Sequence, residues 1–101
     1  MERQITGRTP QKDKPQFGLG EIVVSRSASA ALTHRDVFKA LVRHQSGDWG
    51  DVPPEGWIAN DDALKSDWWI LSSYESRGGV RFWIITMWDR SSTTILLPGN
   101  N

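Results

Sequence analysis

The stretch at residues 80–89, VRFWIITMWD, constrains the fold of this chain more than any other. Read as an extended strand, it sets Val80, Phe82, Ile84, Thr86 and Trp88 on one face and Arg81, Trp83, Ile85, Met87 and Asp89 on the other. β-branched and aromatic side chains dominate it, which favours a strand over a buried helix. Both faces are apolar in the middle, so the alternation predicts a central strand covered on both sides. The run is too short to cross a bilayer as a helix, and Arg81 and Asp89 bracket it.

The neighbours of this strand follow from turn chemistry. Residues 68–75 (WWILSSYE) read as a strand that returns through Arg77-Gly78-Gly79, where glycine supplies positive φ at little cost. Asp89-Arg90-Ser91-Ser92 has the composition of a turn, and residues 93–97 (TTILL) read as the last strand, stopped by Pro98-Gly99. These three make a meander, and EIVVS at residues 21–25 is a candidate for its edge. A short helical turn at residues 28–32 has Ser25 or Ser27 to cap it. Thr33 and Asp36 then have the form of a capping box. Behind it, Val37, Phe38, Leu41 and Val42 make an apolar stripe opposite Arg35, Lys39 and Arg43, and Gly47 closes the helix. His44 falls in the last turn, where a partly protonated imidazole suits the helix dipole. Residues 55–65 read as a third helix, capped by Asp51, with Trp57, Asn60, Ala63 and Leu64 on one side. The expected fold class is α+β: an antiparallel three- to four-stranded meander sheet packed with two or three short helices. Residues 18–101 form its single domain, behind a flexible N-terminal tail at residues 1–17 that carries two prolines and four basic side chains.

At 101 residues the chain has room for one modest core, and six tryptophans help to build it. A buried Trp removes about 150–250 Å² from water, an upper bound of roughly 4–6 kcal/mol each, so most of them are expected inside. Twelve basic and twelve acidic residues cancel, which excludes a protein whose main task is to coat nucleic acid. The first 50 residues carry net +3 and the rest net −3. With no cysteine, disulfides, thiolate catalysis and Cys-type zinc sites are excluded. No apolar segment follows a basic N-terminus, so the expected location is cytoplasmic.

Little in the chain points to catalysis. His44, Asp48 and Asp51, with Asp89 as a fourth member, are the one acid/base cluster, of a type that suits a metal or a general base. Each also has a plainer role: helix end, turn former, cap. Ser91 and Ser92 lie in no nucleophile elbow, and Gly18-Leu19-Gly20 lacks the rest of a phosphate loop. Arg77, Arg81 and Arg90 beside exposed tryptophans would suit unpaired bases, although hydrogen bonds to strand-end carbonyls are the duller use for them.

The segments RHQSGDWGDVPPE, ILSSY and FWIITMWDRSSTTILLP resemble a group of small bacterial proteins typical of plasmids and other mobile elements. These are often labelled plasmid-related proteins or type I restriction endonuclease subunit M. The likeness spans residues 19–98, and its most specific parts are GDWGD and the WIIT-x-x-DR-S-x-TT-x-LLP run. A methyltransferase is excluded, because the chain has neither the cofactor loop nor the Pro-Pro-aromatic motif and is too short for the doubly wound sheet. The group commonly has Glu where this chain has Met87, so a catalytic role for that Glu would imply an inactive member here. The leading expectation is a non-enzymatic protein-binding module of a mobile genetic element, an inhibitor or accessory factor, with no cofactor. Its candidate binding residues are Asp48, Trp49, Asp51, Trp88, Asp89 and Arg90, because aromatic anchors in a shaped loop are what interfaces use. The alternatives are a small metal-dependent hydrolase or nuclease built on His44, Asp48 and Asp51, and a single-stranded nucleic-acid binder.

Overall fold

In the structure, a computed structural model that describes residues 14–99, the alternation of the central run has the phase read from sequence. Phe82, Ile84 and Thr86 are fully buried, and Trp83 and Ile85 are not. The run forms β3 (Arg81–Thr86), in a chain ordered β1 (Glu21–Val24), α1 (Arg26–Ala31), α2 (His34–Gln45), α3 (Pro54–Ala63), β2 (Ile70–Glu75), β3 and β4 (Ser92–Leu96). The fold is α+β: the described residues form one four-stranded mixed sheet in the order β1-β4-β3-β2 and three helices. β2, β3 and β4 form the antiparallel meander, with Ile84 opposite Ser72 on one side and Ile95 on the other.

The sheet is not purely antiparallel. β1 does join an edge, but it runs parallel to β4, with Ile22 beside Thr93 and Val24 beside Ile95. Three helices and a hairpin separate the two strands in sequence, so no tight turn dictates an antiparallel return. The parallel register is held at its start. The Glu21 N–H donates to the Ser91 carbonyl at 3.0 Å and the Thr93 hydroxyl donates to the Leu19 carbonyl at 2.7 Å. Gly20, at φ +66°, lies so close to Ser91 that a Cβ would collide with its backbone carbonyl.

The helices cover one face of the sheet. Ala28 and Leu32 from the α1 segment and Ala40 from α2 pack with Tyr74, Phe82, Ile84 and Ile95. A second cluster joins Trp49, Ala63 and Ile70, with Phe17, Val52, Trp57 and Leu64 against it. The opposite face, carrying Leu71, Trp83, Ile85, Thr94 and Leu96, stays partly exposed on every strand of the meander. The expectation of cover on both sides is therefore corrected. The helices contribute their buried side chains to clusters on the Phe82–Ile84 side alone.

Local signals fare unevenly. The Thr33–Asp36 capping box forms in both directions, at 3.0 and 3.1 Å, and Ser25 caps α1. Gly47 follows the Ser46 cap with φ +92°. The apolar stripe of α2 is rotated from the expected one. Ala40 and His44 are buried with Val37 and Leu41 beside them, whereas Phe38 and Val42 are exposed. Asp51 does not cap α3; Pro53 occupies that position without a side-chain hydrogen bond. Of the expected tail, residues 1–13 lie outside the described residues. Gln16 and Phe17 dock on the domain, through a 2.7 Å bond from the Gln16 N–H to the Gln45 carbonyl and through Phe17 in the second cluster.

Candidate functional site

His44, the centre of the expected acid/base cluster, sits under the sheet rather than at a surface. Its side chain is fully buried. Nδ1 lies 2.6 Å from the Ser72 hydroxyl and Nε2 2.9 Å from that of Thr86. Thr86 in turn meets the Thr93 hydroxyl at 2.7 Å. The chain of bonds ends on the Leu19 carbonyl, which only accepts. That end sets the direction of every proton. Thr93 donates to Leu19, Thr86 donates to Thr93, Nε2–H donates to Thr86, and Nδ1 accepts from Ser72. One imidazole thus ties α2 to β2 and β3, and through two threonines to β4 and the approach to β1.

Burial, with the Arg90 charge adding to it, lowers the His44 pKa to about 3. The imidazole is neutral in the fold, not a partly charged helix-end group. Its folded pKa lies below the unfolded 6.5. The stability it contributes is therefore complete above about pH 6.5 and is lost as the pH falls towards 3. We expect unfolding titrations to give about 2 kcal/mol less stability at pH 5 than at pH 7 from this group alone. His44→Gln should flatten that slope; an unchanged slope would assign it elsewhere.

The GDWGD loop is shaped by its own carboxylates and by β2. Arg43 holds Asp48 at 2.8 Å, Arg81 holds Asp51 at 3.0 Å, and Asp48 also accepts the Gly50 N–H. Gly50 bridges to Ser73 in parallel, with bonds from the Ser73 N–H to the Trp49 carbonyl and from the Asp51 N–H to the Ser73 carbonyl. At φ +76° its α-carbon is packed so closely on Ser73 and the Tyr74 ring that any Cβ would collide. Asn60 caps the same edge of β2 by bonding both the N–H and the carbonyl of Leu71. Trp49 points inward and is 0% exposed, edge-on to His44 and Trp57, with its indole N–H on Asp61 at 3.0 Å. It offers no surface to a partner.

The other half of the expected site gathers at the opposite end of β3. Asp89 accepts the Ser91 N–H and shapes the turn. Arg90 takes a left-handed backbone, φ +61°, and folds its guanidinium back into the chain. It donates to the carbonyls of Trp68 at 2.6 Å and Ala63 at 2.7 Å, and at 3.0–3.3 Å to those of Met87, Trp88 and Ser66. The C-terminal end of α3, the start of β2 and the end of β3 thus converge on one side chain. Trp68, Trp69 and Trp88 leave the surface around it, 63%, 44% and 47% exposed. Asp48, Trp49 and Asp51 are not brought to this cluster. The link between the halves is internal: Phe17 lies 6.2 Å from the Trp49 ring and 5.8 Å from the Arg90 guanidinium.

The site the geometry does build is the sheet face that the described residues leave partly open. Leu71, Trp83, Ile85, Thr94 and Leu96 continue across to Val23 on β1. Among the described residues its one cation, Arg81, is engaged by Asp51, Glu75 and the Ser73 hydroxyl. Sequence reading identified these strands but not this surface; the signal was the apolar second face of β3 in a chain with few helices to cover it. Among the described residues no group of three His, Asp or Glu side chains could hold a metal ion, and no helix is long and apolar enough to cross a membrane.

These features define a one-sided α+β domain with an aromatic sheet face and a tryptophan-rich end. No protein-family model matches the chain, and neither a curated protein nor a solved structure is significantly similar to it.

Proposed function

We propose that the chain is a non-enzymatic protein-binding module that seats an apolar surface of its partner on the open sheet face, with Trp83 as the central anchor. The observation that carries this is the contrast between the two faces of β3. Phe82, Ile84 and Thr86 are sealed by helices, while the equally apolar Trp83 and Ile85 lie partly open. An apolar face that the described residues leave partly open marks an interaction surface, and a central aromatic is its natural hot spot. A protein partner is favoured over nucleic acid because the cation on this face, Arg81, is ion-paired and Arg90 is spent on backbone carbonyls, which leaves no cluster of cations there to meet phosphate. The metal-hydrolase reading loses its centre, since both ring nitrogens of His44 are already bonded to hydroxyls. We propose, from the resemblance that residues 19–98 carry in sequence, a mobile-element accessory factor or inhibitor acting on a host or element protein in the cytoplasm.

A photo-crosslinking residue at position 83 tests this in cells of a bacterial host. It should trap one defined protein, while the same residue at Asp62, on the outer side of α3, traps none. Trp83→Ala should weaken the isolated complex about thirtyfold, the loss of about 2 kcal/mol expected of an anchor. Equal trapping from both positions, or quenching of tryptophan fluorescence by single-stranded oligonucleotides that fades with salt, would overturn the proposal.

A further inference from the structure

Among the described residues β1 is an edge strand without the protection that edge strands usually carry. Its N–H groups at Glu21 and, just beyond it, Ser25 point inward to β4. The alternate residues Ile22 and Val24 therefore direct their backbone groups outward, and no described residue pairs with them. The side chains here are apolar, and Ile22, Val23 and Val24 are 37–42% exposed. By contrast, the far edge, β2, is capped at Leu71 by Asn60 and at Ser73 by the Gly50 bridge. Beside β1 on the helix side runs an apolar groove of about 250 Å³, lined by Val24, Leu32, Val37, Phe38 and Leu41. Phe38, on its rim, is 67% exposed.

We infer that β1 is the site of homodimerisation, and that two copies pair their β1 strands antiparallel about a two-fold axis through Val23. The register follows from the strand itself. With Val23 opposite Val23, Ile22 of each copy faces Val24 of the other, and these are the residues whose N–H and C=O groups point outward. The pairing closes four backbone hydrogen bonds. Alternation puts Ile22 and the opposing Val24 on the helix side, at the mouth of the groove, and the two Val23 side chains together on the open face. Charge agrees with this register. Glu21 comes opposite Ser25 of the second copy, next to its Arg26, and neither Glu21 nor Arg26 has an ion pair within its own chain among the described residues. No like charges face each other. The product is a continuous eight-stranded sheet, and the Trp83 face remains free on both copies.

The absence of cysteine makes the register directly testable. A non-hydrogen-bonded antiparallel pair on the axis has α-carbons about 4.5 Å apart, within disulfide range. Val23→Cys should oxidise to a covalent dimer under mild conditions, whereas Glu21→Cys, whose two copies lie far apart along the strands, should not. The wild-type chain should sediment above 11.4 kDa, half-associated at roughly 10–100 µM for so small a contact. Val24→Pro removes an outward N–H that no described bond uses, and should leave a folded monomer by circular dichroism. A wild-type chain that stays monomeric up to about 1 mM, or equal crosslinking of the Val23→Cys and Glu21→Cys variants, would overturn the dimer and leave the Trp83 proposal untouched.

Discussion

Arg90→Ala should lower the unfolding free energy by about 3–5 kcal/mol, a drop of roughly 15–25 °C in the thermal midpoint for a domain of this size. The size of the effect comes from what the guanidinium holds. Five backbone carbonyls, from Ala63, Ser66, Trp68, Met87 and Trp88, turn towards it. Alanine removes this shared donor at the junction of α3, β2 and β3, and the carbonyls of Ala63, Ser66 and Met87 keep only their backbone donors. Arg90→Lys keeps the charge but presents three donors from one point, so it should recover part of the loss. Arg90→Gly should fall about 1 kcal/mol less far than alanine, because residue 90 sits at φ +61°. Thermal unfolding of the three variants checks the order lysine, glycine, alanine. Were Arg90 a surface anchor for a ligand, all three would melt with the wild type.

Trp49→Ala should cost about 3–5 kcal/mol, while Trp83→Ala should cost under about 1.5 kcal/mol and act on binding instead. Trp49 fills the space between Phe17, His44 and Trp57 and sends its indole N–H to Asp61, so truncation opens a cavity and loses that bond. Trp83 has sheet beneath it and, among the described residues, no helix above it. Denaturant titration of the two variants separates them. A Trp49→Ala protein as stable as the wild type would return that side chain to the surface.

How much of this was legible in the sequence depends on the range of the interaction. The capping box of α2, the alternation of β3 and the glycine after α2 are set within a few residues, and they stand in the structure as read. The buried face of α2 was not legible. The positions 37, 40, 41 and 44 form as regular a stripe as 37, 38, 41 and 42, but one of them is a histidine. Its place inside depends on hydroxyls at Ser72 and Thr86, 28 and 42 residues away. Trp49 misled for a similar reason. A tryptophan among glycines and acids reads as a presented loop, and only the Ser73 bridge and Asp61 turn it inward. Of the three uses that the sequence leaves open for Arg90, the structure shows the carbonyl-binding one, with a left-handed backbone at that position. The parallel pairing of β1 depended on a long connection whose path no local pattern encodes. The open sheet face was hidden by symmetry of composition, since Trp83 and Ile85 look as buried in sequence as Phe82 and Ile84.

The most direct test of a sheet sealed on one side and open on the other reads the six tryptophan indoles in solution by nuclear magnetic resonance with a soluble paramagnetic probe. The Trp49 and Trp57 indole protons, bonded to Asp61 and the Gly50 carbonyl, should be protected. Those of Trp68, Trp69 and Trp88 should relax strongly, and that of Trp83 should fall between the two groups. A Trp83 as protected as Trp49, or a Trp49 as accessible as Trp68, would contradict the account.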